Sequence, residues 1–209
     1  MLVMFPLNHE NGQILRTKRW LYEALGDLMQ EKPFSAITVG QICKRADVSR
    51  AVFYNHYTNK EELLLEIFKR IMTVYWRKVQ LEADEAGYIR SRTAYTILCK
   101  ELWRSRAFLR QLYFNNYSYL LIEFFEQVHD KVYSLISRKA PPKMPEYRKY
   151  FLPYHASALA TLMFQWLCDQ EPLPVEQMAD MALRLFRSVN VDSFLEYRAR
   201  QSQPPAKTS

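Results

Sequence analysis

The sequence predicts an all-α protein. Three observations carry that expectation. Apolar residues recur every three or four positions along most of the chain, while sustained period-two alternation is missing. All four glycines lie at or before Gly87. Prolines cluster at borders between periodic segments: Pro33, then Pro141, Pro142, Pro145 and Pro153, then Pro172 and Pro174. With 209 residues and 49% hydrophobic side chains, the chain is long and apolar enough for one or two packed domains.

A first helix is expected over Gln13–Gln30, with Leu21, Ala24, Leu25, Leu28 and Met29 as its apolar stripe and Pro33 beyond its end. Thr38 opens a second helix, and Gln41 three residues on completes a capping box. Ile42 and Ala46 sit one turn apart and face inward. Ala46-Asp47-Val48 makes the turn, and Ser49 caps a third helix of about seven residues. Phe53 and Tyr57 can pin that helix to a core. Thr58 or Asn59 caps a long fourth helix, striped by Leu63, Leu64, Ile67, Phe68, Ile71, Met72, Tyr75 and Val79.

Packing leaves Arg50, Ala51, Val52, Tyr54, Asn55 and His56 on the third helix unused. Ala51 lets the helix approach base edges; Ala51 and Val52 offer methyl groups to thymine, and Arg50 can pair with guanine or phosphate. Thr38, Tyr54, His56 and Lys60 are expected to donate to phosphate oxygens, as are free amides at the starts of the second and fourth helices. The expected DNA-contacting set is therefore Thr38, Ser49, Arg50, Ala51, Val52, Tyr54, Asn55, His56 and Lys60. The charge is compatible with a polyanion: the net is +7, and residues 1–80 carry 12 Lys/Arg against 8 Asp/Glu.

This segment resembles the DNA-binding domain of the TetR family of bacterial transcriptional regulators over about residues 13–65. The family pattern stands here as Thr38, Ile42, Ala46-Asp47-Val48-Ser49, Tyr54-Asn55-His56-Tyr57 and Lys60-Glu61-Glu62-Leu63. Four positions depart from it. Asp47 replaces the turn Gly, Ala51 stands where Gly is common, Val52 where Thr or Ser is common, and Tyr57 replaces Phe. The resemblance implies an all-α fold: an N-terminal three-helix helix-turn-helix DNA-binding domain over 1–65 and a C-terminal helical dimerisation and ligand domain over 66–200. A disordered tail is expected at 201–209. It also implies a homodimer on a near-palindromic double-stranded operator, with recognition helices roughly 34–36 Å apart. The expected function is a repressor released by a small-molecule effector; the alternative is a coactivator or regulator working through a protein partner. Arg16, Lys18 and Arg19 are either flanking DNA contacts or a solvated face.

Further helices are expected at about 90–103, 105–115, 117–138, 154–169 and 174–188. The last two are either one subunit's core or, as the resemblance implies, half of a four-helix dimer interface. Its expected residues are Ala158, Leu159, Leu162, Trp166, Met178, Met181 and Leu185. The Trp-containing terminal pair after a Pro-rich connector also resembles the subset of the family related to dihydroxyacetone-kinase activators. A ligand pocket is expected among Trp103, Tyr113, Tyr117, Phe124 and Tyr154, though aromatic residues at helical spacing usually form core. His129 and His155 are either polar anchors in a pocket or, more in keeping with their type, satisfied core or surface histidines, and Arg104, Arg106 and Arg110 face either an anion or solvent.

Other classes fit poorly. His9, His56, His129 and His155 are scattered, with no Gly-rich phosphate loop or metal-spaced motif, so neither an enzyme, a metal nor a cofactor is expected. Cys43, Cys99 and Cys168 lack disulfide or zinc spacing, which suits buried thiols in a reducing cytoplasm. No apolar run approaches the roughly 20 residues of a membrane helix, and the apolar N-terminus lacks a basic leader.

Overall fold

In the computed structural model, residues 12–85, 87–137 and 145–188 are described. They form nine α-helices: α1 (Gly12–Glu31), α2 (Val39–Arg45), α3 (Arg50–Tyr54), α4 (Lys60–Leu81), α5 (Ser91–Arg104), α6 (Arg106–Phe114), α7 (Tyr119–Ser137), α8 (Leu152–Cys168) and α9 (Val175–Ser188). No strand occurs among the described residues. His9, the apolar N-terminus, Pro141, Pro142 and the tail expected at 201–209 lie outside them.

Local signals account for the first four helices. All five stripe residues of α1 are buried, and the helix ends ahead of Pro33 in a short 3₁₀ turn, Phe34–Ala36. Both halves of the capping box form at α2: the Thr38 hydroxyl accepts from the Gln41 N–H at 3.3 Å, and the Gln41 Oε1 accepts from the Thr38 N–H at 3.0 Å. Asp47 takes the left-handed backbone of the turn, with φ 52°. The Val48 N–H then closes onto the Cys43 carbonyl. The Ser49 hydroxyl caps α3 through the Val52 N–H. Asn59 caps α4 through the Glu62 N–H, while the Glu62 carboxylate accepts from both the backbone and hydroxyl of Thr58.

One continuous apolar core runs through the described helices. The 22-residue α4 links its two ends: Leu63 and Leu64 pack among the first helices, while Phe68 and Tyr75 meet the Phe124 ring of α7. Beyond it, α9 packs chiefly on α5 and α7 on α8, while α6 lies between α8 and α1. The last two helices, α8 and α9, touch each other only slightly.

Two further boundaries differ from expectation. The third helix spans five residues rather than seven, because Asn55 already forms its C-terminal cap and the chain turns at His56. The proline-bearing connector becomes helical earlier than predicted, with a π-helical turn at Tyr147–Phe151 leading into α8. Pro153 is tolerated because it occupies the first turn of α8, where a backbone N–H has no helical partner. The three cysteines are free thiols; Cys43 and Cys99 are buried and Cys168 half-buried.

Candidate nucleic-acid interface

The helix-turn-helix is held from below and open above. On α3 only Phe53 is buried, and Tyr57 just beyond it is buried too. Their rings lie 5.6 Å apart and fasten the helix to α1 and α4. The other side of the unit is exposed. Arg50, Ala51, Tyr54 and Asn55 are open to solvent, and Val52 and His56 are half-buried. Tyr54 is 57% exposed, with its ring edge-on to Phe53 at 5.5 Å. Thr38 and Ser49 are also exposed, their oxygens occupied by the caps. Eight of the nine residues expected to contact DNA thus border one open face, formed by α3 and the start of α2.

Lys60 is the exception. Its ammonium donates to the carbonyls of Phe34 (2.9 Å), Ser35 (3.2 Å) and Ile37 (2.8 Å), and it lies 4.5 Å from the centroid of the Phe34 ring. All three N–H bonds have protein acceptors, so the expected phosphate donor is instead a clamp on the segment entering α2. Lys18 is likewise drawn inward, onto the Glu66 carboxylate at 3.1 Å. Arg45 faces α1, pairing with Glu31 at 2.7 Å. Arg19 lies near Glu23 on its own helix, while Arg16 is exposed.

A polar chain runs beneath the recognition helix from buried Tyr57 to half-buried Tyr22 and Glu66. The Tyr57 hydroxyl donates to that of Tyr22 at 3.4 Å, and Tyr22 donates to Glu66 at 2.6 Å. Burial raises both phenol pKa values, so both stay protonated. Burial pushes the Glu66 carboxyl upward, but the hydrogen bonds from Tyr22 and Lys18 outweigh it and hold the group below its usual value. The departure of Tyr57 from Phe was the available signal, since a buried phenol needs a partner.

The second half contains a small, partly open cavity of about 40 Å³. Tyr75, Tyr95, Phe125, His129, His155 and Phe186 are among its walls. It is not built from the expected pocket residues, which lie apart. Phe124 is core between Phe68 and Tyr75; the Trp103 ring meets that of Trp166 at a tilt, 5.0 Å apart, beneath the Arg106 guanidinium. Tyr117 meets Phe34 edge-on at 5.9 Å, and Tyr113 and Tyr154 are exposed. Helical spacing reveals an aromatic face without showing what it meets. The alternative anchors, His129 and His155, do line the cavity, and burial lowers both pKa values, His155 to about 4. Arg104 pairs with Glu101, and Arg106 donates to the Leu167 and Asp169 carbonyls, so both are engaged.

The expected dimer residues divide in two. Ala158 and Leu185 are exposed, and Leu159, Leu162 and Met181 half-buried. Trp166 and Met178 are buried inside the subunit, with the Trp166 indole N–H donating to the Leu173 carbonyl at 2.8 Å. These two therefore belong to the subunit's core. The outer faces of α8 and α9 border a groove of about 390 Å³, lined by Tyr154, Ala158, Thr161, Leu162, Gln165 and Leu185 among others.

Residues 21–67 match the family model of the tetR family of bacterial regulatory proteins. Over those residues the chain is similar to the DNA-binding segment of that family. Among proteins similar to this regulator is the dhaKLM operon transcriptional activator DhaS of Lactococcus lactis subsp. lactis strain IL1403, 26% identical over 161 residues that cover 76% of this chain and 82% of DhaS. A solved structure named as the dihydroxyacetone kinase operon activator DhaS aligns with a TM-score of 0.61, at 21% identity, over 82% of this chain and 94% of that one. Lin0861 from Listeria innocua shares the fold with a TM-score of 0.67, at 15% identity, over 89% of this chain and 97% of its own. Among the described residues no helix is long and apolar enough to cross a membrane.

Proposed function

We propose that this regulator binds a near-palindromic DNA operator as a homodimer, with residues 1–65 as its reading head and 66–200 as its dimerisation and regulatory part. The observation that carries the reading is the open face of α3, anchored by Phe53 and Tyr57 alone. Arg50, Ala51, Val52 and Asn55 read base edges; Thr38, Ser49, Tyr54 and His56 meet the phosphate backbone. Lys60 positions the start of α2 rather than touching DNA. Two subunits join through the outer face of α8 and α9, using Ala158, Leu159, Leu162, Met181 and Leu185. The chain works in the cytoplasm, on the genome.

Regulation has two readings. In the first, the chain is a repressor, and a small molecule entering beside His129 and His155 releases it. The cavity of about 40 Å³ is small for an organic effector, so its walls would move apart to admit one. In the second, the chain activates transcription, acting through a protein partner without a small molecule. The similarity to DhaS along three quarters of the chain supports activation. Selection of bound sequences from random DNA, followed by footprinting on the recovered site, tests the core of the proposal. Two symmetric half-sites about one DNA turn apart are expected. Equal affinity for random duplexes overturns it. Transcription from a promoter carrying that site, with and without the protein, then gives the sign.

A further inference from the structure

We propose that Gly40 is a specificity-determining residue: its missing side chain makes the space in which the Arg50 guanidinium lies. This inference rests on the assignment of α3 as the DNA-reading helix. A Cβ built on Gly40 would stand 2.7 Å from Arg50 Nη2 and 3.4 Å from its Cζ and Nε. The other two glycines of described helices, Gly12 and Gly26, would meet nothing within 4 Å.

The backbone gives no reason for glycine here. Gly40 lies within α2 without the positive φ that excludes other residues, and alanine is the better helix former. What the bare position provides is room. Arg50 is the first residue of α3, and its side chain folds back across the first turn of α2. Its positive charge is also felt at Cys43, one turn further along α2, where it opposes the upward pull of burial on the thiol.

No carboxylate neutralises Arg50 among the described residues, so its charge remains available to a polyanion. The guanidinium is exposed yet confined on one side by α2, which narrows the arc it sweeps. A bidentate guanidinium–guanine pair needs both N–H vectors aligned, so it is sensitive to where the guanidinium rests. Position 40 therefore sets which base Arg50 reaches, although it offers no atom to the base itself.

The test compares wild type, Gly40→Ala, Arg50→Ala and the double variant, each selected against random duplexes. Fluorescence anisotropy on operator and random DNA follows, with melting curves as a check on folding. Gly40→Ala is expected to alter the base preference at one position of each half-site by about tenfold. Affinity for random DNA should stay the same, and the melting temperature equal or higher. Gly40→Ser should repeat the shift. In the Arg50→Ala background, Gly40→Ala should change nothing. An unchanged preference in both Gly40 variants, or the same shift with Arg50 absent, overturns this inference while leaving the reading head intact. A wild type that selects no sequence overturns both.

Discussion

Replacing Lys60 with alanine separates two roles that the sequence alone runs together. The side chain gives three hydrogen bonds to carbonyls at 2.8–3.2 Å and lies over the Phe34 ring at 4.5 Å. A hydrogen bond from a charged donor contributes about 1.5–3 kcal/mol net to stability. Three sharing one ammonium are not additive, and the exposed Ser35 contact is readily replaced by water. Counting the two part-buried carbonyls at about 1 kcal/mol each, and the ring contact at about 0.5–1, the loss is about 3 kcal/mol. At roughly 2–4 °C per kcal/mol for a chain of this size, the melting temperature should fall by about 6–12 °C. Operator affinity should weaken on every sequence, because the start of α2 loses its clamp. The slope of log affinity against log salt should stay as in wild type. A phosphate contact from each of two subunits would instead reduce that slope by about 1.8. A reduced slope with an unchanged melting temperature would refute the positioning role.

Three other measurements follow from the structure. Ser49→Ala removes the cap on the five-residue α3 and should destabilise the protein by about 1 kcal/mol in urea unfolding, with Ser49→Gly closer to wild type. His155 is neutral in the fold, its pKa lowered by burial and by neighbouring His129 from 6.5 to about 4. The unfolded chain therefore binds the extra proton between those values. The related stability is complete above about pH 6.5 and is lost as pH falls toward 4, an effect of about 3 kcal/mol at most. His155→Phe should flatten that part of the profile between pH 7 and 5, and equal steepness in both proteins would show that the histidine is not responsible. Ala158→Arg puts a charge on the outer face of α8 and should give a folded monomer by light scattering; a persisting dimer would place the interface elsewhere.

What the sequence reveals most clearly is whatever closes within one turn. Thr38 with Gln41, Ser49 with Val52 and Asn59 with Glu62 are three residues apart, so cap and partner can be read together. The α1 stripe and the Asp47 turn are similarly local. Lys60 is different: its acceptors lie 23–26 residues earlier, and nothing about a lysine near a helix start distinguishes an inward clamp from an outward phosphate donor. Trp166 carries the same ambiguity. Its apolar area suits a partner subunit as well as it suits Trp103, more than 60 residues away, and only the three-dimensional packing decides. The cavity was hardest to foresee, because its walls come from helices far apart in sequence.

Both regulatory readings meet at one place in the fold. Phe34 lies between the Lys60 ammonium and the Tyr117 ring, and the next residue's N–H donates to the Asn115 side chain at 3.4 Å. Asn116, between those two, holds a left-handed backbone at φ 64°. The segment that starts α2 is thus gripped from the head by Lys60 and from the second half by the α6–α7 turn. A movement of α6 or α7 must either carry that segment along or break these contacts. Interdigitated cores favour such discrete alternatives over continuous bending. A repressor and an activator can share this arrangement, differing only in which position of the α6–α7 turn fits the operator-bound head. Changes at Tyr117 or Asn115 are expected to alter the response to a signal while preserving base preference.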